Sequence, residues 1–237
     1  MKFITLPTYE LTLPSTGEKI KYRPYVTKEE KILVMALESK DDQEIKQALG
    51  DIVSACTFEK VDISKNPFFD IQYIFLQLRI KSVGEISEIV VTCGKCEHSQ
   101  PHFVKLDEID VHYPGGKNTE LEIGGVKVQM RYPTADTLLR IKNSETVDET
   151  FRAIASHIVS ITTEEEVHYN TIDTEKDFVE FAENLTPIDY QKIQEFFTMI
   201  PSVSHMVTWK CVGKNEDGST CDESNYLYID GLTNFFL

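Results

Sequence analysis

Apolar and polar residues alternate from Tyr9 to Leu13, Pro14-Ser15-Thr16-Gly17 supplies turn chemistry, and the alternation resumes over Lys19–Tyr25. This is the signature of a β-hairpin. Thr27, with Glu30 three residues later, predicts a capped helix to about Glu38, with Ile32, Leu33, Met35, Ala36 and Leu37 turned inward. A second helix is predicted from Asp41 to Cys56, with Ile45, Leu49, Ile52 and Val53 at helical spacing. Pro67 breaks the pattern and Asp70 is placed to cap the next helix, Ile71–Val83, which is apolar on nearly every side. A helix of that kind is enclosed by its neighbours.

The periodicity then shortens. Ile86–Thr92 and Pro101–Leu106 read as strands around the tight turn Cys93–Cys96, and Thr119–Ile123 and Val126–Tyr132 flank a Gly124–Gly125 hairpin turn. From Thr134 to about Ile200 helical spacing returns, in helices near Thr134, over Val147–Ile161, over Glu175–Asn184, and from Thr186–Pro187 to Ile200. His205–Cys211 and Ser224–Ile229 are predicted as the last two strands. The expected fold class is α+β: an N-terminal hairpin and helical unit over 1–83, a zinc-ribbon-like β subdomain from 84–133 plus 201–237, and a helical insertion over 134–200.

Composition narrows the function. The 237 residues carry 39 acidic against 24 Lys and Arg side chains, a formal net charge of −15. Such a surface repels phosphate and argues against a nucleic-acid coat. The longest apolar run, Ile32–Leu37, is far short of the roughly 20 residues of a spanning helix. No signal-peptide pattern opens the chain, so a soluble compartment is expected. Five cysteines then favour metal binding over a disulfide framework.

Four of the cysteines carry the chemistry. Cys93-Gly-Lys-Cys96 lies on a strand–turn–strand segment, and Cys211 and Cys221 bracket a nine-residue loop between two strands. Two turns that face each other, each offering two thiolates, form a tetrahedral structural zinc site with Cys93, Cys96, Cys211 and Cys221 as ligands. A Cys93–Cys96 redox pair is the poorer reading, because that motif opens a helix. Knuckles that have lost metal or closed as disulfides are a further alternative. His98 could substitute for a ligand, but four sulfurs suffice and close the site. Cys56 reads as a core thiol, His157 as a helix-face residue, and Glu164–Glu165–Glu166 as a solvated run. No phosphate loop, dinucleotide fingerprint, His-Glu-x-x-His or nucleophile elbow is present, so no catalytic residues are assigned. Phe235, Phe236 and Leu237 end the chain as a large apolar group, expected either to fasten the terminus to its own core or to anchor it in a partner.

Leu6–Tyr25, Lys28–Leu33, Phe69–Arg79 with Lys81–Gly84, and the closing Asp230–Phe236 together resemble the baseplate hub subunit of T-even-type contractile-tailed phages. The resemblance is weak across Thr134–Ile200. It implies a non-enzymatic structural or chaperone-like assembly protein. Such a protein is made in the host cytoplasm, binds other tail or baseplate hub proteins, and either stays in the virion baseplate or leaves before completion. Homo-oligomerisation is compatible with that role. Two rivals come from other classes. A zinc-ribbon regulator binding nucleic acid would need a basic stripe, yet only Lys95, Lys105, Lys210 and Lys214 lie near the knuckles. A tail-associated cell-wall hydrolase would need an acid/base pair, and none is apparent.

Overall fold

The computed structural model describes residues 5–142, 146–171, 174–215 and 217–230. The chain opens with the antiparallel hairpin of β1 (Tyr9–Thr12) and β2 (Lys19–Tyr22). Three helices follow, α1 (Thr27–Ser39), α2 (Asp42–Cys56) and α3 (Phe68–Ser82), then the ribbon of β3 (Ile86–Thr92) and β4 (Ser99–Lys105), and the short β5 (Asp110–His112). Next come β6 (Glu120–Ile123), β7 (Val126–Met130), α4 (Ala135–Lys142), α5 (Val147–Ala155), β8 (Ile158–Thr162), β9 (Val167–Tyr169), α6 (Glu175–Glu183) and α7 (Pro187–Thr198). Two long strands end the described chain, β10 (Ser202–Lys210) and β11 (Ser224–Asp230). The fold class is α+β, with several small antiparallel sheets.

These elements form two compact units: one from the described parts of Met1–Val61, Phe69–His112 and Ser202–Leu237, the other from Asp62–Phe68 and Tyr113–Pro201. In the first, α3 is the core. Phe69, Ile71, Ile74, Phe75, Leu76 and Leu78 are almost wholly enclosed, as its all-round apolar sequence requires. Asp70 is not a cap. It lies inside α3, fully buried, and its carboxylate accepts the Ser15 hydroxyl together with the Ser15 backbone N–H at 3.0 Å, pinning the hairpin turn to the helix. Burial raises the pKa of that carboxyl above its ordinary value. Gln72, also buried, accepts the Val203 N–H at 3.5 Å and ties α3 to β10.

Side chains set the starts of α1 and α2. Asp41 Oδ1 accepts the N–H groups of Gln43 and Glu44 at 2.8 and 3.1 Å and starts α2. At α1 the expected Thr27–Glu30 pair is replaced by Glu29, whose carboxylate accepts the Val26 N–H at 2.8 Å and chelates Arg23 at 2.7 and 3.0 Å. Ile32 and Met35, expected inside, are exposed; Leu33 and Ala36 form the buried stripe.

In the second unit the sheet order is β6-β7-β8-β9, every neighbour antiparallel. The helix expected over Val147–Ile161 stops at Ala155, and Ile158–Thr162 is instead β8, hydrogen-bonded to β7. The Ser156 hydroxyl donates to Ala153 O at 2.7 Å and closes the last turn. The β-branched run that follows pairs more favourably as a strand. Ile123, Val128, Met130, Ile154, Ile158, Phe178, Ile193 and Phe196 build this unit's core between the sheet and its helices.

Candidate metal centre

The β3–β4 and β10–β11 ribbons place the cysteines. β3 and β4 pair from Ile86↔Lys105 to Thr92↔Ser99, which leaves six residues, Cys93 to His98, in the turn. Cys93 N–H donates to His98 O at 2.9 Å and Glu97 N–H to Cys93 O at 3.1 Å. To close that turn Glu97 takes a left-handed conformation, φ 57°. For a non-glycine residue this costs about 1 kcal/mol. The Lys95 N–H then points at Cys93 Sγ, 3.4 Å away.

The second knuckle repeats this arrangement despite its longer loop. Cys221 N–H donates to Gly213 O at 2.9 Å and Cys211 N–H to Glu223 O at 2.9 Å. Beyond Gly213 the chain makes a side excursion, closed by the Lys214↔Thr220 bridge and the Asn215 N–H to Ser219 O bond at 2.8 Å. With that excursion pinched off, Cys221 stands next to Gly213 much as Cys96 stands next to Lys95. Gly213 N–H points at Cys211 Sγ at 3.3 Å, and Asp222 after the second cysteine is left-handed at φ 52°, matching Glu97.

The four sulfurs lie within 4.8 Å of one another, with Cys93–Cys221 at 3.8 Å and Cys96–Cys211 at 3.5 Å. A tetrahedron built on zinc–sulfur bonds of about 2.3 Å has edges of about 3.8 Å, so the donor set fits such an ion with sulfur shifts of about 1 Å or less. All five cysteines are free thiols. Cys93, Cys211 and Cys221 are buried, while Cys96 is half-buried. The N–H groups of Cys96 and Lys95, reinforced by Asn225, lower the Cys93 thiol to about 6, whereas burial pushes Cys211 up to about 12 and raises Cys221. The protein alone thus favours ionisation at Cys93 over Cys211 and Cys221. A divalent cation is what would let the others ionise together.

Three supporting residues have no signature in the sequence. Asn225 on β11 accepts the Gly94 N–H at 3.1 Å and donates to Cys93 Sγ at 3.5 Å and to Glu223 O at 3.0 Å. Gln100 on β4 donates to Lys210 O at 3.1 Å and accepts the Val212 N–H at 2.9 Å, clamping one ribbon to the other. Gly213 leaves room for His98: a Cβ at that position would stand 2.5 Å from His98 Cβ. His98 is therefore a wall of the site and stands outside its sulfur cluster.

The remaining candidates are not gathered here. Cys56 is buried, its thiol pushed up to about 12 by burial, which suits a packed thiol and not a nucleophile. His157 lies in the turn after α5 instead of on a helix face, with Nδ1 2.7 Å from Ala153 O. Glu164 to Glu166 form the exposed β8–β9 turn. Phe235, Phe236 and Leu237 lie outside the described residues. Of the lysines near the knuckles, Lys95 approaches Glu223 at 3.7 Å and Lys105 pairs with Glu108 at 2.9 Å.

The family model for the T4 bacteriophage base plate protein matches residues 6–237. The chain belongs to that family. Comparison with curated proteins and with solved structures gave no significant match. Membership makes this chain a phage baseplate protein, a component of the tail whose neighbours are other tail proteins. Among the described residues no helix is long and apolar enough to cross a membrane.

Proposed function

We propose that this baseplate protein is a non-enzymatic structural or assembly subunit of the baseplate hub, with a structural zinc ion held by Cys93, Cys96, Cys211 and Cys221. The match over residues 6–237 carries the tail role. The hub assignment rests on the resemblance of Leu6–Tyr25, Phe69–Arg79 and Asp230–Phe236 to hub subunits. The four-sulfur cluster supports a closed, structural ion, because no position is left open for a substrate or an activated water. Zinc would neutralise the converging thiolates and fix the two ribbons as one platform. An acidic chain of net charge −15 stays soluble in the host cytoplasm until it meets its tail partners. The same charge, with Lys95 and Lys105 already paired, weighs against a nucleic-acid role.

Affinity capture of the tagged protein through an infection time course tests this reading. Co-purification with hub intermediates is expected. Recovery of intact tails at every stage with this chain bound to no tail protein would overturn it. Its presence or absence in finished particles separates a retained subunit from an assembly factor that departs.

A further inference from the structure

The four sulfurs converge, but their surroundings are unequal. Cys93 Sγ receives the Lys95 N–H at 3.4 Å and the Asn225 side-chain N–H at 3.5 Å. Cys211 Sγ receives the Gly213 N–H at 3.3 Å. Cys221 is 7% exposed. Cys96 is the half-buried member, and among the described residues its sulfur meets only other sulfurs, that of Cys211 at 3.5 Å. N–H···S bonds withdraw charge from a thiolate and hold it in place. A thiolate without them is the better nucleophile and the more easily released ligand.

Asn225 supplies the side-chain part of this asymmetry. Its amide holds the first knuckle through Gly94 N–H and Cys93 Sγ. It holds the second through Glu223 O, the carbonyl that also accepts the Cys211 N–H. One side chain on β11 therefore fixes both halves of the site.

Resting on the zinc reading above, we propose that Asn225 is a positioning residue that makes Cys93 the least exchangeable ligand, and that Cys96 is the ligand at which the centre opens to soft electrophiles. In the reaction with iodoacetamide the Cys96 sulfur forms a bond to carbon, the carbon–iodine bond breaks, iodide leaves, and the metal loses that ligand.

The experiment uses the full chain loaded with zinc, its metal content first read by native mass spectrometry. Limiting iodoacetamide is then applied, and the labelled cysteines are mapped by peptide mass spectrometry. Cys96 is expected to label about 10-fold faster than Cys93, Cys211 or Cys221. Asn225→Leu, and Asn225→Asp, which keeps the acceptor for Gly94 N–H but loses the donor to sulfur, should each raise Cys93 labelling. Each should also speed zinc transfer to a chromogenic chelator by about 10-fold or more. With cobalt in place of zinc, Asn225→Asp should move the sulfur-to-metal charge-transfer band to longer wavelength, a shift that loss of packing alone would not give. One bound ion with equal labelling of the four cysteines, or with unchanged zinc transfer in Asn225→Asp, overturns the proposal alone. A native spectrum with no bound metal overturns the zinc reading, and this proposal with it.

Discussion

His157 and Gly213 show how single residues are tied to their surroundings. His157 is 1% exposed, its ring lies edge-on to Phe197 at 5.0 Å, Nδ1 sits 2.7 Å from Ala153 O, and Nε2 has no partner. Burial lowers its pKa to about 4 from the ordinary 6.5. The unfolded chain therefore binds the proton more readily between these values, and stability falls as pH drops from 6.5 towards 4. Linkage gives a loss of about 2 kcal/mol between pH 7 and pH 5 from this residue. Urea denaturation at the two pH values should show that His157→Phe removes about this much of the pH dependence; an unchanged slope would mean the imidazole is not enclosed. At Gly213 the neighbour is His98 Cβ, an atom fixed to its own backbone, so the added methyl of Gly213→Ala forces the second knuckle to move. A cost of about 1–3 kcal/mol is expected. Gly213→Ala with His98→Ala should recover part of it, and a double-mutant cycle by thermal unfolding of the zinc-loaded protein measures the recovery.

At the scale of elements, legibility follows the range of the interactions. The hairpin at Tyr9–Tyr22, the helices α2 and α3, and the β3–β4 ribbon are set by local alternation, caps and turns, and all are readable from sequence. The α5–β8 boundary is not, because Ile154, Ile158 and Ile161 keep helical spacing across it. Pairing with β7, a segment remote in the chain, and with β9 makes Ile158–Thr162 a strand. The same applies to α1. Ile32 and Met35 look like core by composition, but packing against α2 selects the stripe of Leu33 and Ala36. Within the candidate centre the Cys-x-x-Cys turn is visible in sequence, and the matching geometry of Cys211 and Cys221 is concealed by the excursion between Gly213 and Cys221. Asn225 and Gln100 are invisible in sequence, since each acts on a strand remote along the chain. Trp209, the one tryptophan, lies two residues before Cys211 with its ring 6.4 Å from that of His102 on β4. Its fluorescence should shift on chelation if the two ribbons part, and stay fixed if they are held by Gln100 alone.

For the whole molecule the decisive fact is that the first unit is discontinuous. The chain leaves it at His112 and returns at Ser202. Closing so long a loop costs entropy that rises only logarithmically with length, whereas four thiolates on zinc contribute on the order of 10 kcal/mol. The returning strands have other ties, namely β10 against β5 and Gln72 against Val203. These hold the Ser202 end of β10, while Cys211, Cys221 and Asn225 hold the far end. The intervening segment Tyr113–Pro201 has its own sheet and core, so its folding is expected to be independent of the ion. Metal removal should accordingly act along part of one unit. Hydrogen exchange with and without a chelator is expected to show faster exchange at Cys93–Gln100 and Trp209–Asn225, smaller change at Val203, and none in β7 or α7. Loss of protection throughout Tyr113–Pro201 would mean that the second unit also depends on the metal. Unchanged exchange at both knuckles would mean that hydrogen bonds such as those of Gln100 already suffice, leaving zinc no structural work.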